Sequence, residues 1–300
     1  MKIFWKEVIL DQSNITQVII DTINSIFDNL LQSIDFNIYA ILDSLTFVNG
    51  SIMQSDNFKS IFGTSISNGI LLISNSLLLA MILYFSIKYL ISHYTYSQIE
   101  RPYSFLIKLV ICGICMNCSY YLMNFILDLF SYFSSAICEL GSMLYGKTIS
   151  FSELIAIINS NISVESDTFN IFSLDGLIKS ILSFSLLNLV FSYSFRYIMI
   201  QVFVFLAPFA IISASLNSTS WFFVAWFKNL FSLLFIQVIV AIILVILFAM
   251  DYSSSDLITK IIYIGGIYAL IKANSFVREF IGGISTTISQ SVDYFSFFKK

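Results

Sequence analysis

The sequence predicts an all-α, polytopic transmembrane helical bundle of about five spans, with an amphipathic helical N-terminal region. Three observations lead there. Of 300 residues, 58% are apolar and only 11% charged, whereas a soluble domain carries about 45–50% and about 25%. So little charge cannot coat a water-soluble globule. The apolar residues gather into blocks of about 20 or more, the length a helix needs to cross a bilayer. The charges between those blocks sort to alternate sides. The same numbers exclude disorder, which requires few apolar residues and high net charge. A net charge of −3 with no basic patch argues against a nucleic-acid-binding surface.

Residues 1–68 form the N-terminal region. Ile15, Ile19, Ile23, Ile26, Leu30 and Ile34 recur every three or four residues, the mark of a helical stripe. Asp21, Asp28 and Asp35 repeat every seven residues on another part of its surface. The stripe is expected to lie against the membrane or against its own bundle, or to serve as an oligomerisation helix; an acidic helix is a poor binder of anionic lipid, which favours protein contact. Residues 1–15 hold no unbroken apolar run of the secretory type, because Glu7 and Asp11 interrupt it.

Residues 69–281 form the bundle, with spans expected near 69–91, 103–127, 185–213, 223–250 and 257–276. The second helix is expected to run on towards Leu140. The apolar block 177–216 is twice the usual length, and either one or two spans fit it; no turn signal lies inside it. A polar, acidic loop, 141–176, with Glu153, Glu165, Asp167 and Asp175, separates the second and third spans. Residues 282–300 form a Ser- and Thr-rich tail.

Charge orients the five spans. With residues 1–68 outside and the tail in the cytoplasm, the inside collects Lys88, Arg101, Lys108, Lys228, Lys272, Arg278, Lys299 and Lys300. Lys and Arg favour the cytoplasmic side. Acids concentrate outside, with Asp128 and Glu139 assigned to the outer exit of the second span.

No catalytic constellation emerges, and no enzyme activity, cofactor or metal site is expected. Gly141-Ser142-Met143-Leu144-Tyr145-Gly146-Lys147-Thr148 matches the phosphate-loop pattern. That loop must follow a strand and open a helix within a soluble unit, and here a membrane helix precedes it. Cys112, Cys115 and Cys118 are spread around a helix in the second span, and zinc wants four ligands. Small apolar thiols suit helix packing instead. One histidine, His93, rules out relays built on His pairs.

The third span carries the polar signal. Ser185, Asn188, Ser192 and Arg196 fall three or four apart, and Gln201 lies within about 140° of Arg196. An arginine near the bilayer centre costs about 2.5–3.5 kcal/mol on insertion scales. Snorkelling to an interface, a structural pairing and a polar translocation path all remain open for it. Pro208 is expected to kink or end this helix. In the fifth span Gly265, Ala269 and Ala273 form a small-residue stripe suited to close helix packing, within the bundle or against a second subunit.

The stretch from Arg196 to Met250 resembles the TrbL-like polytopic inner-membrane component of type IV secretion and conjugation machines. The matching residues are Arg196, Ala207, Pro208, Ala210, Ser218, Thr219, Trp221, Trp226 and Gln237. The resemblance implies a multi-pass protein of a bacterial cytoplasmic (inner) membrane. It implies a channel or scaffold subunit that helps DNA–protein substrates or effectors cross that membrane. Its partners would be other secretion-system membrane subunits, separate ATPases, membrane lipid and further copies of itself in a homo-oligomer, with transient contact to the passing DNA or protein. The rival expectation, a small-solute secondary transporter or permease, calls for two related halves, and no repeat is visible.

Overall fold

The computed structural model describes residues 18–26, 29, 41–63, 69–95, 102–162, 174–250 and 257–281. Among them there is no strand: the fold is all-α. Short helical stretches at 18–26 and 41–46 lead into a 3-10 turn, Gly50–Gln54. The helices that follow are α1 (Asp56–Phe62), α2 (Gly69–Thr95), α3 (Pro102–Asn117), α4 (Ser119–Tyr145) and α5 (Phe151–Ile162), then α6 (Leu174–Ser213), α7 (Ser220–Phe248) and α8 (Leu257–Ile281). Four of these, α2, α4, α6 and α7, are long and apolar enough to cross a membrane. The chain is a membrane protein.

One helix boundary differs from the sequence expectation. The helix expected over 103–127 is two helices meeting at Cys118. Hydrogen bonding continues through the joint, from Cys118 N–H to the Ile114 carbonyl (3.0 Å) and from Leu122 N–H to the Cys118 carbonyl (3.0 Å). The Asn117 side chain also donates to the Gly113 carbonyl at 2.9 Å, competing with the backbone ladder just before the joint. α3, at 16 residues, is shorter than the helices long enough to cross a membrane, and α4 is among those. Asp128 lies ten residues into α4. The expected fifth span corresponds to α8, a 25-residue helix that carries Lys260, Lys272, Arg278 and Glu279. The 177–216 block is settled as one unbroken helix through Ser213, about 60 Å long at about 1.5 Å per residue.

The chain divides into two compact units. One holds residues 1–45, 138–193 and 242–272; the other holds 46–137, 194–241 and 273–300. In the first, α5 buries Phe151, Leu154, Ile155 and Ile158, spaced as one face of a helix. Asp43 caps its start: the carboxylate accepts from Phe151 N–H (2.9 Å), Ser152 N–H (3.3 Å) and the Ser152 hydroxyl (2.9 Å). The Phe151 ring meets Tyr193 edge-on at 6.2 Å, and the Tyr193 hydroxyl donates to the Leu270 carbonyl (3.2 Å).

In the second unit, α2 and α3 are joined by a stacked Phe85–Phe105 pair at 3.6 Å and by Asn75 donating to Asn117 (3.2 Å). Met116, Ile211 and Ile212 form a further core cluster with Leu78, Met81 and Phe223 around it. Segment 46–62 packs into this unit. Val48, Met53, Phe58 and Phe62 are buried, and Phe58 stacks on Phe205 of α6 at 4.3 Å. Of the N-terminal stripe, Ile19, Ile23 and Ile26 are exposed on the 18–26 helix. Ile15, Leu30, Ile34, Asp28 and Asp35 lie outside the described residues, as does the 282–300 tail.

Candidate functional site

The polar centre of the second unit is built around a stretch of backbone that is not α-helical. Asn49-Gly50-Ser51 turns the chain, with the Asn49 side chain accepting from Ser51 N–H (3.1 Å). Ser55 then caps α1 by accepting from Phe58 N–H (3.3 Å). Between Thr46 and Met53 the backbone groups have lost their helical partners, and long-helix side chains replace them. Arg196 Nη1 donates to the Thr46 carbonyl (2.9 Å). Val48 N–H donates to Gln237 Oε1 (3.0 Å). Gly50 N–H donates to Asp128 Oδ1 (2.9 Å), whose other oxygen accepts from Asn124 Nδ2 (2.9 Å). The Tyr120 hydroxyl donates to the Met53 carbonyl (3.0 Å). Irregular backbone inside a membrane protein is tolerated only where protein or trapped water satisfies it, and here three helices supply the partners.

Arg196 is fully buried, yet its fork is well served. Nε donates to the Leu233 carbonyl at 2.8 Å and Nη2 to Gln237 Oε1 at 3.4 Å, besides the Thr46 bond. The planar guanidinium suits acceptors lying in several directions. Gln237 Oε1 thus accepts twice, which fixes the orientation of its amide. Its Nε2 is buried and has no hydrogen-bond partner among the described residues. An orphaned buried donor costs about 1–3 kcal/mol. The close fit at the turn requires glycine: a Cβ on Gly50 would overlap Asn124 Oδ1 and stand 2.8 Å from Asp128 Oδ1.

These groups lie deep along their helices. At about 1.5 Å per residue, Asp128, Gln237 and Arg196 stand about 13, 16 and 25 Å from the nearer ends of α4, α7 and α6.

The sequence-predicted polar residues are only partly brought together. Arg196 and Gln237 meet directly. Ser192 is buried, Ser185 and Gln201 are half-buried, and Asn188 is exposed; a helical face wide enough to hold all five is too wide to be wholly interior. Sequence reasoning missed Thr46, Val48, Gly50 and Met53, and also Tyr120, Asn124 and Asp128. The available signal was Asn124 and Asp128, one turn apart inside an apolar stretch.

The remaining residues of the Arg196–Met250 stretch serve packing. Pro208 does not end α6, which continues to Ser213. Ala207 and Ala210 are fully buried beside it. Trp226 is buried and donates Nε1–H to the Phe203 carbonyl (2.8 Å), tying α7 to α6. Thr219 closes the turn between them by donating to the Ser213 carbonyl (2.8 Å), while Ser218 and Trp221 are exposed. On α8, Gly265 and Ala269 face outward and only Ala273 is buried. A Cβ on Gly265 would meet nothing within 4 Å, whereas one on Gly266 would press into Leu247. The close-packing glycine within the chain is therefore Gly266, one residue, or about 100° of helix, from the predicted stripe.

The phosphate-loop string has a plain structural role. Gly141 to Tyr145 are the last residues of α4, where a Cβ on Gly141 would come 2.8 Å from Val245 Cγ2. Gly146 adopts φ +65° and caps the helix, its N–H donating to the Ser142 carbonyl (2.9 Å). Cys112 and Cys115 line an apolar crevice of about 230 Å³ with Ile211 and Trp226, and Cys118 is exposed at the α3–α4 joint.

No protein-family model matches this chain, and no curated protein or solved structure matches it.

Proposed function

We propose that this protein is a channel or scaffold subunit of a type IV secretion or conjugative DNA-transfer machine in a bacterial cytoplasmic membrane. The observation that carries this reading is the position of the residues on which the TrbL-like resemblance rests. Arg196, Trp226 and Gln237 make the polar bonds of α6, α7 and segment 46–53. Thr219 closes the α6–α7 turn, and Ala207 and Ala210 pack in the core. Transport would be driven by separate ATPases, with other secretion subunits and further copies of the chain as neighbours.

The test is deletion of the gene in its host, followed by a plasmid-transfer and effector-export assay. Loss of transfer, restored by the gene in trans, supports the reading. Normal transfer and export without the protein would reject it. A second reading, a small-solute permease, is favoured by the irregular backbone at 46–53, because transporters place broken helices around a midplane site. Uptake or efflux of a defined solute, unchanged by loss of the secretion ATPases, would favour it over the first.

A further inference from the structure

We infer that Thr46–Phe62 is a plug seated in a polar conduit whose wall is Tyr120, Asn124, Asp128, Arg196 and Gln237. This inference deepens the channel reading and rests on it. Each of these five side chains belongs to a helix long enough to span. Four aim a polar atom at the backbone of the segment, and Asn124 braces Asp128. With the segment removed, the groups left behind would be a cation, a carboxyl, two amides and a phenol facing one another across the vacated space. A surface of that kind in a membrane interior is stable only against protein or water. Inward-facing polar groups of this kind mark the paths of ions and polar solutes.

The seat is also built to be left. The hydrogen bonds between plug and wall exchange for water bonds when the segment leaves, so leaving costs far less than their strength in a dry interior. The burial of Val48, Met53, Phe58 and Phe62 holds the plug together with these hydrogen bonds. The cargo class is polar or ionic, since apolar cargo would gain nothing from this wall.

The experiment uses the purified full chain in liposomes loaded with potassium ions. The wild-type protein should hold the gradient. Gly50→Ala sets a methyl group against Asn124 and Asp128, and potassium efflux should rise about tenfold, equivalent to about 1.4 kcal/mol of plug displacement. Trimming the nearer clashing partner, as Gly50→Ala with Asn124→Ala, should restore part of the seal, with Asp128 Oδ1 still 2.8 Å from the new methyl. Tyr120→Phe removes only the hydroxyl that holds the Met53 carbonyl and should raise efflux about threefold, or about 0.7 kcal/mol. Helical circular dichroism and monodisperse elution establish that each variant folds, and Tyr120→Phe serves if Gly50→Ala does not. Wild-type tightness in every folded variant overturns the plug. A double variant leaking as much as Gly50→Ala alone also overturns it, because the leak would then reflect a loosened bundle. Leaking variants together with normal plasmid transfer in the deletion strain reject the secretion reading and leave the plug standing.

Discussion

Replacing Arg196 with lysine keeps the charge and discards the fork. In the native site three nitrogens serve three acceptors: the Leu233 carbonyl at 2.8 Å, the Thr46 carbonyl at 2.9 Å and Gln237 Oε1 at 3.4 Å. A single ammonium on a flexible stem cannot stand where Nε, Nη1 and Nη2 stand at once. At least one charge-assisted bond is lost, worth about 1.5–3 kcal/mol. A shorter reach also leaves the buried charge poorly solvated, so the total loss is about 2–4 kcal/mol. At about 2–4 °C per kcal/mol for a chain of this size, the melting temperature in detergent falls by about 5–15 °C. The assay is thermal unfolding followed by far-ultraviolet circular dichroism, with cysteine labelling at Ser51→Cys reporting release of the segment. A melting temperature within about 1 °C of wild type, with labelling unchanged, would refute the view that the arginine fork holds segment 46–53.

Four further substitutions have expected outcomes. Trp226→Phe loses the bond to the Phe203 carbonyl and part of a buried ring, destabilising by about 1–3 kcal/mol in the same melt. Gly266→Ala forces a methyl group into Leu247 and costs about 1–3 kcal/mol. Gly265→Ala meets open space and changes stability by no more than about 1 kcal/mol, in the stabilising direction; the reverse order would show that α8 packs on its other face. Asp43→Ala removes the cap of α5 and costs about 1–2 kcal/mol. Hydrogen exchange should quicken at the Phe151 and Ser152 amides before any change in α2 or α7.

The helical fold was legible because membrane helices are written in one variable, the length of an apolar run. Blocks near 69–91, 177–216 and 223–250 each became one long helix, since backbone groups facing lipid have no other way to find partners. The joint at Cys118 was harder to read. It depends on the Asn117 side chain reaching the Gly113 carbonyl and pairing with Asn75, and the second partner lies on another helix. Of the small-residue stripe Ala273 is buried while Gly265 and Ala269 face outward; the glycine that Leu247 approaches is the neighbouring Gly266, and the sequence does not distinguish the two glycines.

By itself the sequence determined the solvent of this protein. Low charge and long apolar runs leave the chain no stable state in water, so a helical bundle in lipid follows from composition and pattern alone. It also singled out Arg196 and Gln237 as polar groups out of place among apolar neighbours. Tertiary structure alone decided what answers them. The partners of Arg196 and Gln237 include main-chain atoms of Thr46 and Val48, far away in sequence, and a carbonyl or an amide proton carries no side-chain signature. Any residue type offers the same main-chain groups, so the seat of segment 46–62 could not be read from residue identities and was decided by where the chain folds back.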